Sequence, residues 1–366
     1  TCALPIFLIW GELELADQFA KGTVLAITGT NGKTTTTTLV GEILKNYYRE
    51  VHVVGNIGTS YASVAMDTTD KGYVVAETSS FQLETVDEFH PKVSAILNLT
   101  PDHLNRHHTM EGYVNAKKNI MKNQTAGDYV ILNYDDPLTR AIGETAVPQV
   151  IYFSSTQVLE NGYFFRDRKI YYACDGTLEV ICSAGGLKIL GLHNMENIMA
   201  AVAMARCVGV PMEKIRETIT SFMGVEHRIE YVTEKRGVSY YNDSKGTNPD
   251  AAIKAVQAMV RPTLLIGGGY DKQSTYDEWI EAFGGKVRYL VLLGETANKI
   301  AECARRHGFE NIIMTESLEE AVKVCSQKAE KGDAVLLSPA CASWDMFKSY
   351  EERGRMFKEF VHKLSD

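Results

Sequence analysis

Short apolar runs recur along the chain, each closed by small or polar residues. Thr-Val-Leu-Ala-Ile-Thr at 23–28 gives way to a Gly-rich turn and then to a helical stretch over about 33–47. Further runs at 51–54, 73–77, 93–100 and 129–133 are followed by Gly-Asn, Thr-Ser-Ser, Pro-Asp-His and Tyr-Asp-Asp. Runs this short and this apolar predict strands buried on both faces, and their alternation with helical patterns predicts a mostly parallel sheet. In such sheets ligands bind beyond the carboxyl ends of the strands. The polar clusters fall there.

The pattern changes at 151–190, where Tyr/Phe-rich alternation and a Gly-Gly turn predict antiparallel hairpins. Residues 194–223 return to helix, and a boundary is expected near 224–227. Beyond it, strands are expected at 238–242, 263–267, 288–293 and 334–338, separated by helical segments. This is a second, smaller α/β domain.

Composition narrows the function classes. A net charge of -8 without any basic block argues against nucleic acid or an anionic membrane as the main partner. The seven cysteines are scattered without a Cys-x-x-Cys pair, which reads as reduced thiols in the cytoplasm. The opening Thr-Cys-Ala-Leu-Pro-Ile-Phe-Leu-Ile-Trp is too short to span a bilayer and lacks a basic leader. Residues 1–12 are read as the tail of a domain that has been cut away. Nothing suggests an obligate interface, so a monomer is expected.

The strongest chemical signal is Gly29-Thr30-Asn31-Gly32-Lys33-Thr34-Thr35, between a strand and a helix. Glycines let backbone N–H groups approach phosphate oxygens, the helix N-terminus favours an anion, and Lys33 adds a point charge. Thr34 supplies a hydroxyl for a phosphate-bound Mg²⁺. The spacing departs from the generic phosphate loop because position 27 is Ile; a Gly-rich turn capping an ordinary helix is the alternative. The threonines at 34–38 are poor helix formers, so this helix is expected to rely on tertiary packing.

Glu77 closes an apolar run, where a phosphate-loop fold needs an acid for Mg²⁺, although a solvated strand end would look the same. His103 in Thr-Pro-Asp-His is either an unusual Mg²⁺ ligand or a surface histidine. Lys117, in Tyr-Val-Asn-Ala-Lys-Lys, reads by itself as an exposed helix face. In the second domain, Arg228, Asp243 and Lys245 suit a surface that meets a nucleotide, or Asp243 and Lys245 form a turn with Gly246. Gly-Gly-Gly-Tyr-Asp-Lys272 is another Gly-rich strand exit, and Ala342-Ser343 is read as a helix N-cap able to bind a carboxylate.

Together these segments resemble the Mur ligase family, which includes folylpolyglutamate synthase. The motifs run in family order: the phosphate loop, Gly55-Asn56-Ile-Gly, Glu77-Thr-Ser-Ser, Asn98-Leu-Thr-Pro-Asp-His, Gly191-Leu-His-Asn194-Met-Glu-Asn197, His227-Arg228, Asn242-Asp-Ser-Lys245-Gly-Thr-Asn and Ser338-Pro-Ala-Cys-Ala-Ser. The resemblance implies an α/β fold: a P-loop central ATPase domain over 13–224 with a mostly parallel sheet, plus a smaller Rossmann-like C-terminal domain over 225–366. It implies an ADP-forming ligase of peptidoglycan synthesis that joins D-glutamate to UDP-muramoyl-alanine through an acyl phosphate, with ATP and two Mg²⁺. Relatives using another amino acid, or a non-catalytic nucleotide-binding fragment, are the alternatives.

The resemblance also distributes roles. Thr34, Asn56, Glu77, His103 and a carbamylated Lys117 match the Mg²⁺ region. Lys33, Lys117, His103 and Lys245 match catalytic positions. Asn194 and Asn197 match adenine-side contacts, with Arg228 and Asp243 completing the nucleotide set. Thr247, Lys272, Ser343 and Tyr350 match the D-glutamate site. Carbamylation requires a neutral amine, so Lys117 is expected to be desolvated or otherwise lowered in pKa. An N-terminal UDP-binding domain is expected in family members, and residues 1–12 are read as what remains of it in this sequence.

Overall fold

A computed structural model describes residues 10–365; the opening segment up to residue 9, most of the stretch read as a domain remnant, lies outside them. The chain divides into two compact units. One runs to Leu187 and includes Leu192–Phe222; the other comprises Lys188–Gly191 and everything from Met223 onward.

The first unit is organised by a nine-stranded sheet. Its strands are β1 (Thr23–Thr28), β2 (Val51–Gly55), β3 (Tyr73–Glu77), β4 (Val93–Ile96), β5 (Tyr129–Asn133), β6 (Gln149–Ser154), β7 (Gly162–Arg166), β8 (Lys169–Cys174) and β9 (Thr177–Ser183). The order is β2-β3-β1-β4-β5-β6-β7-β8-β9. Pairing is parallel from β2 to β7, and β7, β8 and β9 are antiparallel, as the Tyr/Phe alternation predicts. The connections leaving β1 and entering β4 run to opposite sides of the sheet, so β1 and β4 frame a crevice at their carboxyl ends.

Leu25, Ala26 and Ile27 of β1 are fully buried, which accounts for a run with no polar alternation. Burial of each Leu or Ile contributes about 1.5–3 kcal/mol. The threonine-rich helix Lys33–Lys45 is held by packing, as expected: Thr36, Thr37, Leu39 and Val40 are buried, and Thr36 Oγ1 donates to Asn197 Oδ1 across 3.3 Å. The helical stretch at 194–223 is two helices, Leu192–Cys207 and Met212–Ser221. Gly209, at φ 86°, and Pro211 break it.

The second unit carries a six-stranded sheet of β10 (Glu230–Lys235), β11 (Val238–Asn242), β12 (Thr263–Gly267), β13 (Val287–Leu292), β14 (Ile312–Met314) and β15 (Ala334–Leu337). The order β10-β11-β15-β12-β13-β14 is parallel except for the β10–β11 hairpin. Inserting β15 between β11 and β12 brings their three carboxyl ends together. Asp243 N–H donates to the Leu337 carbonyl, Ser338 N–H to Ile266, and Gly268 N–H to Pro339.

Among the described residues no helix is long and apolar enough to cross a membrane, and the described cysteines form no disulfide.

Candidate active site

The loop after β1 is stitched to the loop after β4. Thr30 N–H donates to the Asn98 carbonyl at 2.9 Å, Asn31 N–H to Asn98 Oδ1 at 2.8 Å, and Asn98 Nδ2 returns a bond to the Asn31 carbonyl at 3.1 Å. Thr30 Oγ1 meets both the Thr100 backbone and the Tyr113 hydroxyl. Gly32 caps the following helix in the left-handed region at φ 86°, and a Cβ there would lie 2.2 Å from Asn197 Oδ1. Only glycine allows both the backbone and the approach. The result is a braced turn with the N-terminus of a helix behind it, an arrangement that favours an anion.

Two lysines converge on this turn. Lys33 Nζ donates to the carbonyls of Gly29 and Thr30, both at 2.9 Å. Lys117 Nζ donates to the same Gly29 carbonyl at 2.9 Å and to Thr28 Oγ1 at 3.3 Å, above the Tyr113 ring. Lys117 is only 2% exposed. Burial, seconded by the charge of Lys33 and opposed by Asp102, brings its pKa down to about 7. The exposed-helix-face reading of Lys117 is therefore corrected: the Met110–Lys118 helix turns this residue into the sheet end.

Glu77, at the tip of β3, is buried, with Asn56 Nδ2 3.3 Å from Oε1 and Asn56 N–H on the Glu77 carbonyl. The solvated-strand-end alternative is thus excluded. Buried carboxylate and side-chain amide are hard oxygen donors, a chemistry that fits Mg²⁺, and Thr34 in the first turn of the Lys33–Lys45 helix carries a hydroxyl of the same kind. His103 is exposed, in the left-handed region at φ 51°, with its ring beside Phe81 and near Asp102. Asn194 and Asn197 are buried behind the loop, Asn197 donating to Asn194 Oδ1 and touching Thr36.

In the second unit, Asp243 lies buried past the end of β11. It accepts from Ser338 Oγ at 2.7 Å and from Ile229 N–H at 3.2 Å. Burial pushes its carboxyl up to about 7, against these bonds and the charges of Arg228 and Arg353. Arg228 itself is exposed. Lys245 stands over the Tyr350 ring and Lys272 over the Trp344 ring, at 5.4 and 5.0 Å. Thr247 N–H donates to the Lys245 carbonyl.

Ser343 is buried, and its carbonyl takes the Met346 and Phe347 N–H groups. No helix starts there. The following helix, Tyr350–Lys363, is capped by Ser349, whose side chain accepts from Glu352 N–H. The N-cap expected at Ala342-Ser343 is thus corrected: the 341–345 segment is a turn. It is held by a residue sequence reading passed over, Arg353. Its buried guanidinium donates to Ser244 Oγ and the carbonyls of Ser244, Cys341 and Ala342. His107 is a second such residue, with Nε2 on Ser80 Oγ at 2.9 Å and Nδ1 3.0 Å from Glu84.

Comparison with known proteins places this geometry. Residues 27–205 match the Mur ligase middle domain and residues 227–341 the "Mur ligase, glutamate ligase domain". The chain is 60% identical to the UDP-N-acetylmuramoylalanine--D-glutamate ligase of Lachnoclostridium phytofermentans, over 98% of this chain and 79% of that protein. It is 53% identical to the ligase of the same name from Lachnospira eligens, over 97% and 79%. Among solved structures, the MurF ligase from Thermotoga maritima in complex with ADP aligns at a TM-score of 0.65, with 20% identity over 96% of this chain and 84% of that one.

Proposed function

Since the chain belongs to the Mur ligase family, we propose that it makes its amide bond by ATP-driven activation of a carboxylate. Its function is that of its named relatives: ligation of D-glutamate to UDP-N-acetylmuramoylalanine, in peptidoglycan precursor synthesis. The observation that carries the phosphoryl-transfer reading is the braced turn at 29–35, with Lys33 and a depressed, buried Lys117 meeting at one carbonyl.

ATP binds with its phosphates against the Gly29–Thr35 turn, on the N–H groups at the start of the Lys33–Lys45 helix rather than those that Asn98 already holds, and on Lys33, which leaves the Gly29 and Thr30 carbonyls for the phosphate. Asn194 and Asn197 lie on the adenine side, and Arg228 and Asp243 meet the nucleotide from the 225–366 domain. An alanyl carboxylate oxygen attacks the γ-phosphorus, the bond to the β-bridging oxygen breaks, and ADP leaves. The D-glutamate nitrogen, having lost a proton, then attacks the acyl carbon and expels phosphate. Positioning and electrostatics carry most of the rate in such transfers.

Two Mg²⁺, held by Thr34, Asn56, Glu77, His103 and Lys117 as its carbamate, would supply neutralisation of the phosphate charge. Carbamylation converts Lys117 from a competing cation into a carboxylate. That conversion is chemically open because its amine is already half neutral near pH 7. Lys245 stabilises charge on the transferred group. Thr247, Lys272, Ser343 and Tyr350 hold D-glutamate.

The test is phosphate release by a protein of the relatives' full length that carries this chain, with Mg²⁺ and bicarbonate. Release that requires both UDP-muramoyl-alanine and D-glutamate, with L-glutamate inactive, is expected. Release with neither substrate, or with another amino acid instead, would overturn the reading. The same assay on residues 1–366 alone decides whether they turn over unaided.

A further inference from the structure

The second unit carries a set of side chains that none of this chemistry uses. Asp277 and Glu281 sit four residues apart on the short helix Asp277–Glu281, and Cys303 and His307 four apart at the end of the helix Ala297–Arg306. Residues at that spacing share a helix face, and the two faces meet. A carboxylate oxygen of Asp277, the Cys303 sulfur and a ring nitrogen of His307 all lie within 4.8 Å of one another. Among the described residues they form the one group of three or more His, Cys, Asp and Glu side chains so placed. His307 Nε2 is 3.0 Å from Asp277 Oδ1, and its Nδ1 is 3.7 Å from Glu281 Oε1.

We propose that Asp277, Cys303 and His307 form a binding site for a zinc-class divalent ion, with Glu281 orienting the imidazole through Nδ1 and water as the fourth ligand. The donors are one thiolate, one imidazole and one carboxylate, a mixture that suits Zn²⁺ and Co²⁺ and disfavours Mg²⁺. A carboxylate on the far nitrogen is the usual partner of a metal-bound histidine. The C-terminal end of a helix also favours a cation. Thr296, at the other end of this helix, bonds Gly269 and Cys341. From Thr296 to His307 the helix rises about 16 Å, so the proposed ion is no part of the nucleotide or D-glutamate machinery.

Cys303 is buried where the two helices meet. Arg306 places Nη2 3.7 Å from Asp277 Oδ1 and also acts on Cys303, so a bound ion must displace this side chain, which is 70% exposed.

Cobalt reports directly on the site. The chelator-treated chain is titrated with Co²⁺ in the presence of excess Mg²⁺. One equivalent is expected to give a near-UV thiolate-to-cobalt band and visible bands of a four-coordinate ion, both erased by Zn²⁺. Cys303→Ser should abolish the near-UV band, His307→Ala should weaken binding at least ~10-fold and Glu281→Gln about 10-fold, and Arg306→Gln should tighten it. Circular dichroism separates loss of the site from loss of the fold, and Glu281→Gln, at the surface, serves where Cys303→Ser unfolds. Absence of the band, its persistence in Cys303→Ser, or its displacement by Mg²⁺ would overturn the proposal.

Discussion

Lys33 and Lys117 donate to the same oxygen, the Gly29 carbonyl, each across 2.9 Å. One carbonyl dipole is a poor counter-charge for two ammonium groups, and one of the two is buried. Coulomb repulsion at this separation and desolvation act in the same direction. Both favour a neutral amine at position 117, and Asp102 offsets only part of it.

The first prediction concerns that amine. Below about pH 7 Lys117 carries its proton and has no lone pair for carbon dioxide; above it the amine is free. Incorporation of ¹³C from bicarbonate, followed by NMR, should therefore grow as the pH rises from about 6 to about 8. The signal should vanish in Lys117→Gln, with ligase turnover falling by about 10²–10³-fold. A carbamate signal unchanged in that variant would place the modification elsewhere.

The bracing of the phosphate turn yields the second. Gly32→Ala puts a Cβ 2.2 Å from Asn197 Oδ1 on a backbone at φ 86°. The left-handed conformation alone costs about 1–2 kcal/mol, and Asn197 must shift, which disturbs its bonds to Thr36 and Asn194. Urea denaturation should show at least that loss, and a fluorescent ATP analogue should bind at least ~10-fold more weakly. Unchanged nucleotide affinity would mean that the turn tolerates displacement.

A third follows from Arg353. Burial lowers its guanidinium to about 10, which still leaves it charged at neutral pH. Arg353→Ala takes its guanidinium from the Cys341 carbonyl, leaves Ala342 with only the Tyr270 N–H, and removes two bonds to Ser244. Unfolding free energy should drop by roughly 2–5 kcal/mol. Arg353→Lys cannot reproduce the fork and should recover less than half of it. D-glutamate affinity should fall in parallel, because the same turn carries Ser343.

Much of this was readable in the sequence, for physical reasons that differ by residue. β1 and β3 are buried on both faces, so their runs are apolar throughout, and Glu77 stands out as the acid that ends one of them. Glycine at 29 and 32 is legible because no other residue fits the turn. Lys117 was not legible from its neighbours. Lys117 and Lys118 look alike in sequence, and only the sheet end against which the helix packs separates them. Asn98, Tyr113, His107 and Arg353 act through partners tens of residues away, which no local pattern records. The misplaced N-cap had a local signal: Ser349 followed three residues later by Glu352 is the capping spacing; the Ser349 hydroxyl accepts from Glu352 N–H, while the Glu352 carboxylate takes the N–H of Lys348, one residue before the cap. The attraction of Ser343 as a polar residue after a strand outweighed it.

Asp243 supports the last prediction. The carboxyl is buried between Ser338 Oγ and Ile229 N–H and titrates near 7, against an ordinary value of 3.8. Between about pH 4 and pH 7 the native carboxyl keeps a proton that the unfolded chain has released. Its contribution to stability therefore falls as pH rises through that window. Asp243→Asn mimics the protonated form and has no such dependence. The variant should match the wild type near pH 4 and become progressively more stable than it up to about pH 8, as read from urea midpoints at each pH. If the charge serves nucleotide binding, the same substitution should weaken ATP at neutral pH while stabilising the fold, a separation that a purely structural aspartate would not produce. A stability difference flat across the range would show that Asp243 ionises in the native protein as it does in the unfolded chain.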